Sequence, residues 1–121
     1  MNLNIDCVRD VLLFVENAEF GRDVNGSNFL AAYPNYTNDD FSYTCLKLKE
    51  AKYLEVVTKS MHPRPSVIKV KDITFEGHQF LADIKSDTFW NKIKDKASKV
   101  GFDTVKSLSV TAINLIATSL M

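Results

Sequence analysis

The chain has 121 residues, of which 45% are hydrophobic and 25% charged, enough for one globular domain with its own core and unlike a disordered tail. Its formal net charge is zero, so no overall field draws it towards nucleic acid or a membrane. The charges are nevertheless divided unevenly, because residues 1–58 carry nine acids against five bases and residues 59–121 carry ten bases against six acids.

The termini and the cysteines bear on the compartment. The N-terminus MNLNIDCVRD has charges where a signal peptide needs an apolar run. The uncharged segment 107–121 is shorter than the roughly 20 residues that cross a bilayer. Cys7 and Cys45 occupy apolar positions of predicted helices, which favours buried free thiols over a disulfide. These features predict a cytoplasmic protein without a transmembrane helix.

Apolar residues spaced three and four apart predict the helices of the N-terminal half. The first runs from Ile5 to Ala18, and a shorter one covers residues 27–33. The next helix is capped by Thr37 or Asn38, has acids in its first turn, and ends near residue 51.

The apolar period then changes to two, which predicts a β-hairpin. Residues 54–59 alternate, and beyond the corner HPRP at residues 62–65 Ile68 and Val70 alternate with lysines. Two prolines in the short link between the strands give the hairpin a stiff tip.

Helical spacing resumes after the hairpin. Thr74 can cap a helix whose apolar residues include Phe75 and Phe80, a second stripe runs from Phe89 to Val100, and Asp103 can cap a last helix. Three helices followed by a hairpin is the order of a winged helix-turn-helix. The sequence therefore predicts an α+β, mostly helical fold. Residues 1–85 would form a winged helix-turn-helix domain with the hairpin as its wing, and residues 86–121 a long helical C-terminal arm.

Three stretches resemble a known family. LNIDCVRDVLLFVE, YTCLKLKEAKYLE and ITFEGHQFLADIKSDTFWNKIKDK are similar to small bacterial and prophage proteins catalogued as domain of unknown function 2513. The most specific part is the Thr-x-x-Gly-His-x-Phe-Leu entry followed by Trp90. The resemblance implies a fold rather than an activity, and no catalytic or binding residue is carried over from it.

The chain departs from the family pattern at two positions. The family prefers His where Thr44 stands and Gly where Lys52 stands. A glycine there allows a left-handed helix C-cap, a conformation that costs a lysine on the order of 1 kcal/mol. This leaves open a different helix end in this chain.

Residues for catalysis are sparse. The histidines, His62 and His78, have no Cys, His, Asp or Glu neighbours at metal-ligand spacing, and there is no phosphate loop or nucleophile elbow. Asp39 and Asp40 suit a helix start better than an acid–base pair. The sequence predicts that the protein is not an enzyme and needs no cofactor or metal.

The basic hairpin raises the possibility of contact with double-stranded DNA. In a winged helix-turn-helix the second helix of the motif enters the major groove, and the wing touches phosphates or the minor groove. Arg64, held between two prolines, suits a narrow minor groove, whereas Asp39 and Asp40 would repel DNA and exposed lysines also discourage strand pairing. The predicted DNA-binding residues are Tyr43, Lys47 and Lys49 in the helix and Lys59, Arg64, Lys69 and Lys71 in the hairpin.

The uncharged C-terminal arm is apolar over most of its girth and needs a cover. A two-fold dimer through this arm would pair two wings on a palindromic site. Burial within the monomer and docking to another protein are alternatives, and the lack of a basic face argues against a membrane surface. The predicted dimer residues are Val105, Leu108, Ala112, Ile113, Ile116 and Leu120.

These features favour a DNA-binding regulator of phage or mobile-element type, with double-stranded DNA and a second copy as its predicted partners. The alternative is a protein-interaction module on the same scaffold that engages a host protein. A continuous positive face over Tyr43, Lys47, Arg64 and Lys69 would favour DNA, and its interruption by Asp39 and Asp40 would favour the interaction module.

Overall fold

The computed structural model describes residues 2–60 and 66–100 and shows an α+β protein that is mostly helical. The elements within these ranges are α1 (Ile5–Asn17), α2 (Gly26–Ala32), α3 (Asn38–Glu50), β1 (Leu54–Lys59), β2 (Ser66–Ile73), α4 (Phe75–Ile84) and α5 (Asp87–Val100).

Side-chain caps explain where four of the helices begin. The carboxamide oxygen of Asn4 accepts hydrogen bonds from two backbone N–H groups of α1, and Asn25 forms a capping box at α2. At α3 the cap is Thr37, whose backbone N–H donates to Asp40 Oδ2 at 3.0 Å while its Oγ1 accepts from Asp40 N at 3.1 Å. Thr74 caps α4, as its sequence position predicts.

The sheet is a β-hairpin to which one loop residue is joined by a β-bridge. Strands β1 and β2 pair antiparallel from Leu54 opposite Ile73, with two irregularities in the register. Val24, in the loop after α1, forms an isolated bridge with Val70, with N–O distances of 2.9 and 2.6 Å. The sequence did not predict this bridge, because a single paired residue leaves no periodic pattern.

One hydrophobic core joins α1, α3, the sheet, α4 and α5. Trp90 and Ile93 of α5 are buried in the same cluster as the residues before position 85, so the core continues across the predicted domain boundary. Phe75, one of the apolar residues of the predicted helix, lies outside this core and is 72% exposed. It lies five residues before Phe80, which at 100° per residue places it on the side of α4 away from the core.

None of the helices in residues 2–60 and 66–100 combines the length and the apolar character that crossing a membrane requires.

Several predictions concern residues beyond these ranges. The described residues do not include the wing-tip residue Arg64 or the C-terminal arm beyond residue 100. The predicted dimer contacts lie in that part of the arm, namely Val105, Leu108, Ala112, Ile113, Ile116 and Leu120.

Candidate nucleic-acid interface

A left-handed residue joins α3 to the hairpin. Lys52 has a φ of 67°, and its N–H donates to the carbonyl of Lys49 at 3.0 Å. The N–H of Tyr53 donates to the carbonyl of Leu48 at 2.9 Å, which completes a Schellman motif. The helix end is therefore the one that a glycine would favour, made here with lysine. This turn sends the chain directly from α3 into β1, which begins at Leu54.

The Thr-x-x-Gly motif fastens the base of the hairpin to that turn. Thr74 Oγ1 donates to the Lys52 carbonyl at 2.8 Å, and Thr74 N donates to the Tyr53 carbonyl at 3.0 Å. A Cβ on Gly77 would collide with the Tyr53 carbonyl and lie 2.8 Å from Ile73 Cγ1. Only glycine therefore allows α4 to approach this backbone so closely. The motif fixes the angle between α3 and the hairpin.

The outer face of α3 carries charges of both signs. Lys47 Nζ lies 5.4 Å from the centre of the Tyr43 ring and 3.2 Å from Glu50 Oε2. Asp39 precedes Tyr43 by four residues and thus shares its face. Acids consequently stand at both ends of the face that holds Lys47, and Asp40 takes part in the N-terminal cap. This face offers little positive charge to a phosphate.

Lys49 turns from α3 towards the hairpin instead. Its Nζ lies 3.4 Å from Thr58 Oγ1 on β1, so its positive charge lies beside that strand. Lys59, the next residue along β1, is exposed. Because successive residues of a strand face opposite sides, Lys49, which meets Thr58, and Lys59 flank the end of β1 on its two sides, and we call these two lysines the basic edge.

The two lysines of β2 have acidic surroundings. Lys69 Nζ forms an ion pair of 2.8 Å with Asp23 Oδ2, with both side chains about 40% exposed. Lys71 is exposed and lines a groove that also contains Glu55 and Asp72. The predicted DNA-binding residues within the described ranges are thus divided among the outer face of α3, the basic edge and the acidic surroundings of β2. Among the described residues, the ion pairs with Glu50 and Asp23 leave no continuous positive face over Tyr43, Lys47 and Lys69.

A separate polar network holds α5 against α1. Arg9 donates to the carbonyls of Ile84 and Lys85 at 3.0 and 2.6 Å, and its Nη2 lies 2.7 Å from Asp87 Oδ1. The guanidinium also lies 5.7 Å from the centre of the Trp90 ring, whose Nε1 donates to Asp6 at 3.0 Å. This network gives the tryptophan of the sequence resemblance a structural role.

The acid–base groups have structural partners. Glu16 accepts from Lys85 Nζ at 2.8 Å and lies 3.1 Å from His78 Nδ1, and the hydrogen bond from Lys85 is the main reason that the pKa of Glu16 is lowered. Cys7 and Cys45 are buried and free, and desolvation raises the pKa of Cys7 to about 11. No group of three or more His, Cys, Asp or Glu residues in the described part of the chain is arranged to hold a metal ion.

Comparison with known proteins agrees with the resemblance noted in the sequence. Residues 2–103 match the family described as "Hypothetical protein (DUF2513)". A protein of Haemophilus influenzae described as "Uncharacterized protein" is 29% identical over 118 residues, which cover 94% of this chain and 97% of that protein. No solved structure matches the chain. The family match spans all the helices and strands given above.

Proposed function

The chain belongs to the DUF2513 family of hypothetical proteins, and we propose that it is a winged-helix DNA-binding protein whose hairpin, rather than its third helix, makes the main contacts. It would serve as a transcriptional regulator, of the type found in phages and mobile elements.

The order of elements supports the winged-helix interpretation. Helices α1, α2 and α3 precede the hairpin, and α2 and α3 are separated by a short connection that contains Pro34. The bridge from Val24 to Val70 attaches the loop before α2 to the sheet. Three helices with a hairpin against the end of the third is the arrangement in which a wing lies beside a recognition helix.

The contact between Lys49 and Thr58 is the observation that carries the proposal. It places a basic charge from the end of α3 beside β1, at the residue that precedes the exposed Lys59. Lys47 and Lys69, by contrast, are compensated by Glu50 and Asp23. We therefore expect phosphates to meet the basic edge, with the stiff tip reaching the minor groove.

Anisotropy of a labelled duplex of random sequence, measured from low to high salt, tests this proposal. Each phosphate contact contributes about −0.9 to the slope of log K against log salt, so Lys49→Ala with Lys59→Ala should reduce the slope by roughly two. Arg64→Ala should also weaken binding. Lys69→Ala, which removes a compensated charge, and Lys92→Ala, on α5, serve as controls and should change binding little.

Two results would refute DNA binding through the basic edge. The first is a wild-type protein that fails to bind the duplex even at low salt. The second is binding that the Lys49 and Lys59 substitutions weaken no more than the Lys92 control does.

The outer face of α3 favours a second candidate, a protein-interaction module that engages a host protein. Asp39 and Glu50 bracket the pair formed by Tyr43 and Lys47, and tyrosine flanked by mixed charge is more typical of a protein contact than of phosphate binding. Quantitative pull-downs with the wild type and with Tyr43→Ala would test this candidate. A partner lost only from the variant supports it, and identical protein profiles contradict it.

A further inference from the structure

A tight turn after α1 holds an aromatic side chain in solvent. The N–H of Arg22 donates to the carbonyl of Glu19 at 3.0 Å, and Gly21 has a φ of 83°. A positive φ at the third residue is what a type II turn requires. Phe20, the second residue, is fully exposed, with a relative accessibility of 105%.

Grooves lie on both sides of this turn. One has a volume of about 430 Å³ and is rich in charged residues, among them Glu16, Glu55 and Lys71. The other has a volume of about 400 Å³, and its surface is mostly apolar and includes Phe14, while Asn17, Asn28 and the charged residues of the turn also line it. We call the second one the apolar groove. Glu19 and Arg22 of the turn line both grooves, so the exposed Phe20 ring and the apolar groove lie side by side.

We propose that this surface joins two copies of the chain, with Phe20 of each copy entering the apolar groove of the other. A two-fold axis beside the turn would form both contacts at once, because the ring and the groove that receives it lie next to each other on one chain. A ring in the groove would meet Phe14, and two aromatic rings prefer edge or offset contacts of this kind.

The charges on the turn fit a second copy better than a partner of one charge sign. Glu19 and Arg22 are exposed and border the apolar groove. Under two-fold symmetry Glu19 of one copy meets Arg22 of the other, and the reverse, so the charges match. Asp23 on the same rim already has Lys69 as its partner. A uniformly acidic or basic partner would be repelled by one of the two exposed charges.

The contact area indicates a weak dimer. A buried phenylalanine contributes about 150–250 Å², so the two rings supply about a quarter of the ~1,200–2,000 Å² that stable interfaces bury. The remainder has to come from the rims of the grooves. We therefore expect association in the micromolar range, through residues other than the predicted C-terminal dimer contacts and independent of DNA binding.

Sedimentation equilibrium of the full chain over a wide concentration range is the first test. Phe20→Ser should raise the dimer dissociation constant at least tenfold, since each dimer loses two buried rings. Phe75→Ser is the matched control, because Phe75 is also exposed but lies on α4 outside the apolar groove. Both positions are on the surface, so melting curves of the two variants should match that of the wild type.

Charge exchange gives a second and more specific test. Glu19→Arg and Arg22→Glu should each weaken self-association, whereas an equimolar mixture of the two variants should form a heterodimer. The chain that carries both substitutions should associate again.

The proposal is overturned if the wild type stays monomeric at all concentrations, or if Phe20→Ser associates as the wild type does. It is also overturned if the charge variants fail to form a heterodimer. Loss of the dimer in Ile116→Asp but not in Phe20→Ser would assign dimerisation to the C-terminal residues instead.

Discussion

Substitutions at Lys52 test the left-handed turn that joins α3 to the hairpin. A φ of 67° brings the Cβ of an L-residue against the following carbonyl oxygen, at a cost of about 1–2 kcal/mol that glycine avoids. The capping hydrogen bonds of this turn use backbone groups, and Lys52 is exposed. The side chain of Lys52 is therefore not needed for the motif, and its Cβ destabilises the turn.

Comparing Lys52→Gly with Lys52→Ala isolates the destabilisation that the Cβ causes. Both variants lack the charge of the lysine, so its interaction with the end of the helix cancels between them. Glycine loses about 0.4–1 kcal/mol through the greater entropy of its unfolded chain. Subtracting this from the strain leaves a free energy of unfolding that is about 0.5–1 kcal/mol higher for the glycine variant, or roughly 2–6 °C in melting temperature.

Lys49, three residues earlier, provides the opposite expectation. It lies in the last turn of α3 with ordinary helical geometry, where glycine is about 1 kcal/mol less favourable than alanine. Urea unfolding followed by Trp90 fluorescence measures all four variants. The order should be glycine above alanine at position 52 and alanine above glycine at position 49. The same order at both positions would refute the left-handed turn.

Three further predictions concern stability. Gly77→Ala should lower the free energy of unfolding, measured in the same urea assay, by about 1–3 kcal/mol, because the new Cβ meets a backbone carbonyl. Gly26→Ala is the control and should be tolerated, because the atom nearest to its new Cβ belongs to the side chain of Asn38. Arg9→Lys should cost about 1.5–3 kcal/mol and change Trp90 fluorescence, because lysine cannot reproduce the forked contacts to two carbonyls and Asp87; unchanged unfolding would contradict this. Glu16 has a folded pKa below 4.5, so its contribution is present above pH 4.5 and is lost as the pH falls through the folded value; Glu16→Gln should be less stable than the wild type at neutral pH, with the two unfolding curves converging in acid.

Local signals in the sequence account for most of the secondary structure. The capping residues and the apolar spacing predict each helix in the described ranges, and the change to period two predicts the hairpin. Phe75 and Phe80 differ in burial because five residues separate them, a spacing that does not keep two residues on one face of a helix. That signal was available in the sequence.

The division of the candidate interface was only partly predictable. The pairing of Lys47 with Glu50 follows from a spacing of three on a helix, so the sequence contained it. The pairing of Lys69 with Asp23 joins residues 46 positions apart and depends on how the loop after α1 meets β2. A list of basic residues could not show which of them keep their charge available, because tertiary contacts decide that.

The two buried thiols make the protein suited to chemical labelling. Thiolate is the reactive form, and burial keeps Cys7 and Cys45 protonated at neutral pH. A cysteine introduced on the surface would therefore react with a fluorophore or spin label while both native thiols remain unmodified. The slow reaction of the native thiols is informative in turn, because Cys7 lies on α1 and Cys45 on α3. Equal rates at both would report opening of the whole core, and unequal rates would show which helix detaches first.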